Sequence, residues 1–174
     1  MHDHRQRFEA LALPHLDAAY NLARWLSRSP ADADDIVQDA MLRAFAAFGQ
    51  FRGEHIRPWL LAIVRNCWRN RVDEVRRRGH APLPEEGEGA LVSDRPDPET
   101  EAAAASDGRR LDKLLAALPE DYRTVLILRE MEDLSYREIA EVTGVPIGTV
   151  MSRLARARAL LKSHWMAEDA HVVR

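Results

Sequence analysis

One stretch of this 174-residue chain constrains how the rest can fold: residues 80–106, HAPLPEEGEGALVSDRPDPETEAAAAS. It holds four prolines, two glycines and seven acids against a single arginine, with few large apolar side chains. Such a composition cannot bury enough surface to offset chain entropy, so a flexible linker is expected there. The linker divides the chain into two pieces, 1–79 and 107–174, each small enough to depend on close helix packing. The charge divides the same way, with +3 on the first piece, −6 on the linker and zero on the last. The overall −3 is therefore a property of the linker and does not exclude an anionic partner.

Both flanking pieces are expected to be helical. Phe8, Leu11, Leu16, Tyr20 and Ala23 follow a helical period, with Pro14 placed to end a turn or kink it. Ser29 followed by Pro30 forms an N-cap and first-turn pair. Ile36, Val37, Ala40, Met41, Ala44, Phe45 and Phe48 then share one face, and Gly49 is placed to stop the helix. A third helix is marked by Trp59, Leu60, Ile63, Val64, Cys67 and Trp68 after Pro58. In the last piece, Leu111, Leu114, Leu115 and Leu118 form a stripe closed by Pro119, which opens the next helix. No period-two run is long enough for a strand. The expected fold is all-α, with two small helical domains on either side of the linker.

The sharpest local signal is SYRE at 135–138, an S-x-x-E capping box with Leu134 and Ile139 where a hydrophobic staple would place them. Gly144 ends the short helix, and Pro146 restarts the chain in a longer one reaching about Lys162. A short helix, a tight turn and a longer basic helix make the layout of a helix-turn-helix. Ile139, Ala140, Val145, Ile147, Val150 and Leu154 fill its interior positions, which leaves Thr149, Ser152, Arg153, Arg156 and Lys162 facing outward. These side chains can donate to phosphates and base edges in a major groove. Residues 146–165 contain no acid, whereas Asp32, Asp34, Asp35 and Asp39 crowd four carboxylates into eight residues.

Other chemistries lack their residues. The single cysteine cannot pair internally and rules out a multi-cysteine zinc motif. The seven histidines are dispersed, and there is no phosphate loop, H-E-x-x-H or C-x-x-C. No catalytic residue, metal or cofactor is assigned. No apolar run approaches the ~18 residues of a membrane span, and MHDHRQRF lacks a signal-peptide core. A cytoplasmic protein is expected.

DADDIVQDAMLRAF (32–45), FRGEHIRPWLLAIVRN (51–66), LPEDYRTVLILRE (118–130) and LSYREIAEVTGVPIGTVMSRLARARALL (134–161) together resemble the extracytoplasmic-function group of bacterial RNA polymerase sigma factors. The resemblance spans both pieces in order. It implies a region 2-like domain in 1–79, a region 4-like helix-turn-helix domain in 107–174, and a factor that brings core polymerase to promoters. It assigns Asp35, Ile36, Val37, Gln38 and Asp39 to docking on the polymerase clamp helices, the flap being the second contact. Phe51 and Asn66 would hold an unpaired base of the −10 element, with Arg65, Arg69 and Arg71 on the backbone of the melted strand. Trp59 is read either as core or as part of that pocket. Thr149, Ser152, Arg153 and Arg156 would face the −35 element, with Tyr136 and Arg137 bracing the other strand. An anti-sigma protein is an implied partner.

The linker suits this arrangement only when drawn out. Elements about one and a half duplex turns apart are separated by ~50–60 Å at ~3.4 Å per base pair. Twenty-seven residues reach at most ~90 Å extended and average ~30 Å relaxed. The competing reading is a helix-turn-helix regulator that binds duplex operators without polymerase, which accounts for the last domain alone.

Overall fold

In the computed structural model, which describes residues 2–79 and 98–172, every regular element is helical. Residues 80–97, the greater part of the expected linker, lie outside the described residues. The first module comprises α1 (His2–Ala12), α2 (Leu16–Ser27), α3 (Pro30–Ala47) and α4 (Ile56–Arg77). The second comprises α5 (Pro98–Ala117), α6 (Glu120–Glu130), α7 (Tyr136–Thr143) and α8 (Ile147–Val172).

The proline and cap signals set the boundaries. A 3₁₀ turn at Leu13–His15, around Pro14, separates α1 from α2. The Ser29 side chain accepts a hydrogen bond from the Asp32 amide at 3.3 Å, and Pro30 occupies the first turn of α3. That helix stops at Ala47, two residues before Gly49, because the chain tightens into a second 3₁₀ turn at Phe48–Gln50. Two boundaries differ from expectation. α5 begins at Pro98, so residues 98–106 of the expected linker are helical. The run of four alanines in that window has the highest helix propensity available. α8 continues ten residues past Lys162. Its last turns lie against α5, where the Arg110 guanidinium sits 4.0 Å from the Trp165 ring centroid and pairs with Glu168 at 2.9 Å.

The capping box forms in full. Glu138 N donates to Ser135 Oγ at 3.2 Å, and Ser135 N donates to Glu138 Oε2 at 2.7 Å. Gly144 adopts φ +70, a left-handed C-cap that a side chain disfavours. The hydrogen bond from the Ser135 backbone holds the Glu138 carboxyl below its ordinary value, against a smaller opposing effect of burial. A carboxyl with a depressed folded-state pKa stabilises the fold above its unfolded pKa, and that stabilisation is lost as pH falls through the folded value. Ser135→Ala is expected to cost about 1 kcal/mol, or roughly 2–4 °C in melting temperature. Thermal melts of wild type and Glu138→Gln between pH 7 and pH 3 check the acid limb, which should be shallower in the variant.

The modules do not have separate cores. Leu22, Ile36, Leu60, Leu61 and Val64 of the first belong to one buried cluster with Val125, Ile127, Leu128, Ile139, Val142 and Leu154 of the second. α7 lies along α4, and α6 touches α2. A smaller cluster of Leu115, Leu118, Leu126 and Ala157 joins α5, α6 and α8, with half-buried Trp25 of α2 against both. Each fully buried aliphatic side chain contributes about 1.5–3 kcal/mol relative to exposure, so parting the modules carries a substantial cost.

Candidate nucleic-acid interface

Two carboxylates of the second module receive arginines of the first. Glu132, buried in the turn between α6 and α7, accepts from Arg57 Nη2 at 2.8 Å and from Asn21 Nδ2 at 3.4 Å. Asp121 on α6 lies 3.5 Å from Arg65 Nη2 and 2.9 Å from Arg153 Nη2. Arg65, only 3% exposed, also donates from Nη1 to the Thr143 carbonyl at 3.4 Å. Burial and then the charge of Arg69 disfavour the ionised form of Arg65, while Glu120 and Asp121 offset them. Being a guanidinium, Arg65 stays charged regardless.

In this closed arrangement three arginines that the resemblance assigns to DNA are engaged with carboxylates of the chain itself. Arg65 is closed into the interface between modules and presents no surface to a strand. Arg71 is turned back onto α3, with Nη2 2.6 Å from Asp32 and 3.4 Å from Asp35. Arg153 is half-buried on Asp121 with Nη1 enclosed and unpartnered, so it braces α8 on α6. The resemblance assigns each by matched position, which does not show where a partner carboxylate lies in space.

The remaining residues near the expected −10 site are accessible. Asn66 and Arg69 are exposed and line an open groove of about 530 Å³ together with Arg43, Ile63, Asn70 and Asp73. Phe51 stacks 6.3 Å from Phe48 and tilts against Trp59 at 5.0 Å, one helical turn before Ile63. A Cβ on Gly53 would come within 2.8 Å of the Phe51 ring, so the glycine makes room for that ring. Trp59 is half-buried and packs on the core, in keeping with the core reading. Cys67, beneath Asn66, is buried. That burial, reinforced by Asp39, pushes its thiol up to about 11, so it is a packed thiol and not a nucleophile at neutral pH.

On α3, Ile36 is 2% exposed and Val37 is also buried, so neither can meet a partner while the bundle is intact. Their assignment to docking is corrected on that ground. Asp35 and Gln38 are exposed, and Asp39 is held by Arg43 at 3.0 Å. The residue missed is Leu42, 66% exposed, which shares a face with Asp35, Gln38 and Phe45. Its helical offset from Ile36, Ala40 and Ala44 could have shown this.

On α8, Ser152 and Arg156 are exposed and Thr149 is half-buried. Ser152 Oγ donates to the Thr149 carbonyl at 3.0 Å. Arg156 makes no ion pair among the described residues. Arg137 is exposed, 3.9 Å from Glu141, while half-buried Tyr136 lies under the Arg129 guanidinium at 5.3 Å.

Comparison with known proteins agrees with this layout. The family description "Sigma-70 region 2" matches residues 11–79 and "Sigma-70, region 4" matches 108–161. An ECF RNA polymerase sigma factor, SigE of Mycolicibacterium smegmatis, is 34% identical over 160 residues, covering 90% of this chain and 61% of the relative. The chain thus spans less than two thirds of that relative's length. The ECF RNA polymerase sigma-E factor of Haemophilus influenzae is 36% identical over 149 residues, covering 82% of this chain and 78% of its own. Among solved structures, the sigma factor RpoE in complex with the anti-sigma factor NepR from Bartonella quintana superposes with a TM-score of 0.74 at 28% identity. That match covers 91% of this chain and 96% of RpoE. CnrH in complex with the cytosolic domain of CnrY gives 0.67 at 26% identity over 94% of this chain and 90% of its own.

Proposed function

The chain belongs to the sigma-70 family, in its extracytoplasmic-function group, and from that premise we propose that it recruits core RNA polymerase to promoters and assists their melting. The observation that carries the reading is the presence, in one chain, of an exposed amide-lined groove on α4 and an exposed face on α8 carrying Ser152 and Arg156. A regulator that binds duplex operators without polymerase would need only the second of these and is not favoured.

In this reading α3 docks on the polymerase clamp helices through Asp35, Gln38 and Leu42. A carboxylate-edged apolar face suits a basic helical partner, because complementary charge sets orientation and Leu42 supplies area. The groove on α4 takes an unpaired −10 base, with Asn66 pairing to its edge and Arg69 near the backbone, while Phe51, stacked on Phe48 and Trp59, offers an apolar surface to the melted strand. Ser152 and Arg156 read −35 base edges while Thr149, at the α8 N-terminus, meets phosphate. The factor performs no bond-making step in this scheme.

The closed interface sets an order of events. Arg65 can join the strand only once the modules part. Opening must be driven by a partner with higher affinity for the open state, and core polymerase is that partner. An anti-sigma protein would act oppositely by holding the closed one. No described helix is long and apolar enough to cross a membrane.

In vitro transcription with purified core polymerase and a randomised promoter library tests the scheme. A bidentate amide–base pair is worth about 1–3 kcal/mol of discrimination. Asn66→Ala is therefore expected to flatten preference at one −10 position by about tenfold or more while −35 preference stays as in wild type. An unchanged −10 preference would remove Asn66 from the pocket.

A further inference from the structure

The exposed face of α8 carries two parallel rows. Gly148, Ser152 and Arg156 form one, with the polar and basic groups already assigned to base and phosphate contacts. Beside it, at the same four-residue spacing, run Ile147, Met151 and Ala155. Ile147 is 45% exposed and Met151 52% exposed, although Val150 and Leu154 of the same helix are buried in the core. Two large apolar side chains are thus left in solvent on the face that also bears the donors.

Nothing in the fold of the module requires this. Contacts within the helix-turn-helix are made by Ile139, Val142, Val150 and Leu154, and none of them needs an apolar partner on the opposite face. The surrounding charge restricts what can cover the row. From Pro146 to Ala167 the chain has no acidic residue, and although Asp121 and Glu130 of α6 engage Arg153 and Arg158, Arg156 and Lys162 stay exposed along the same helix. Such a surface favours a polyanion. The apolar group that a polyanionic duplex offers in its major groove is the C5-methyl of thymine.

We propose that Met151, with Ala155 one turn on, reads thymine in the −35 element through its methyl group, as a specificity contact beside Ser152 and Arg156. The proposal rests on α8 being the −35 reader and adds to it a base identity. The unbranched, polarizable methionine side chain adapts to a methyl without demanding one geometry. A hydrogen-bond donor at that position would instead select a purine or the O4 of thymine.

Replacing thymine by uracil deletes the methyl group and leaves base pairing and all hydrogen-bonding edges as they were. The full chain with core polymerase is assayed for open-complex formation on promoters carrying uracil at each −35 thymine of either strand in turn. Loss of about one buried methyl corresponds to a roughly three- to fivefold effect. Wild type is expected to lose that much at one or two positions, and Met151→Ala is expected to show no further loss there. The variant's thermal melt should match wild type, since the side chain is exposed.

Wild-type indifference to uracil at every −35 thymine would overturn the proposal, as would an undiminished uracil penalty in Met151→Ala. If Met151→Ala weakens core polymerase binding while uracil has no effect, the row serves a protein contact and the proposal fails. A fully scrambled −35 element separates the two levels. Loss of initiation on scrambling without uracil sensitivity retains α8 as reader and rejects only the methyl contact. No effect of scrambling rejects the −35 reading itself.

Discussion

Glu132→Ala is expected to shift the equilibrium between closed and parted modules toward the parted state. Glu132 is buried and carries the charge that meets Arg57 at 2.8 Å and the oxygen that meets Asn21 at 3.4 Å. Removing one partner of a buried ion pair typically costs about 3–5 kcal/mol, because the other charge is left without compensation. Arg57 keeps about a third of its side chain in solvent, so part of that penalty is relieved by water. A cost of about 2 kcal/mol is expected, which shifts a two-state equilibrium roughly thirtyfold. The cost falls on the closed state, since Arg57 regains water when the modules separate.

Fluorophores at Ala10→Cys and Ser163→Cys, both exposed, report the separation of α1 from α8. The inter-label distance should lengthen in Glu132→Ala while helical content is retained. With Arg65 released from Asp121 and the Thr143 carbonyl, the free chain should bind single-stranded −10 DNA about tenfold more tightly than wild type, and that gain should shrink as salt rises. An unchanged distance would show that the apolar contact of α7 on α4 holds the modules by itself. An unchanged affinity despite opening would remove Arg65 from the strand.

The division between what the sequence disclosed and what it withheld follows the range of the interactions. Ser135 and Glu138, Ser29 and Asp32, and Pro14 and Gly144 act within four residues of themselves, so pattern and spacing locate them. The apolar stripes likewise gave the core faces of α3, α4 and α8, except that Phe45 and Ile147, placed on those faces, are exposed. By contrast, Arg65 reaches Thr143 across 78 positions and Arg57 reaches Glu132 across 75. No local pattern encodes such pairs. They turn an apparent two-domain chain with independent cores into one with a shared core.

Ile36 and Val37 leave the exposed face of α3 for a different reason. Asp35 to Asp39 are consecutive, and a helix presents only positions three or four apart on one face. Ile36 and Val37 therefore had to turn inward if Asp35 and Gln38 turned out, and Leu42 had to join the latter. The start of α5 at Pro98 was obscured because prolines and acids dominated the composition of a window that also contained four alanines.

Arg153→Ala and Arg156→Ala are expected to fail in different ways, although both arginines were assigned the same task. Arg156 is exposed and makes no ion pair among the described residues, so its removal leaves the fold untouched. A bidentate arginine–guanine contact is worth about 1–3 kcal/mol, so initiation at a −35-dependent promoter should fall roughly ten- to a hundredfold. Base preference at one −35 position should flatten with it, and melting temperature should not move. Arg153 keeps only a fifth of its side chain in solvent and is anchored to Asp121 at 2.9 Å. Its loss leaves the Asp121 charge facing Arg65 alone and withdraws the aliphatic stem from the contact of α8 on α6. The expected result is a lower melting temperature, with weaker initiation at every promoter and no change in which base is preferred. Promoter-library transcription run beside thermal melts separates the two outcomes. A flattened −35 position in Arg153→Ala with an unshifted melt would return that residue to the reading face and require Asp121 to release it when DNA binds.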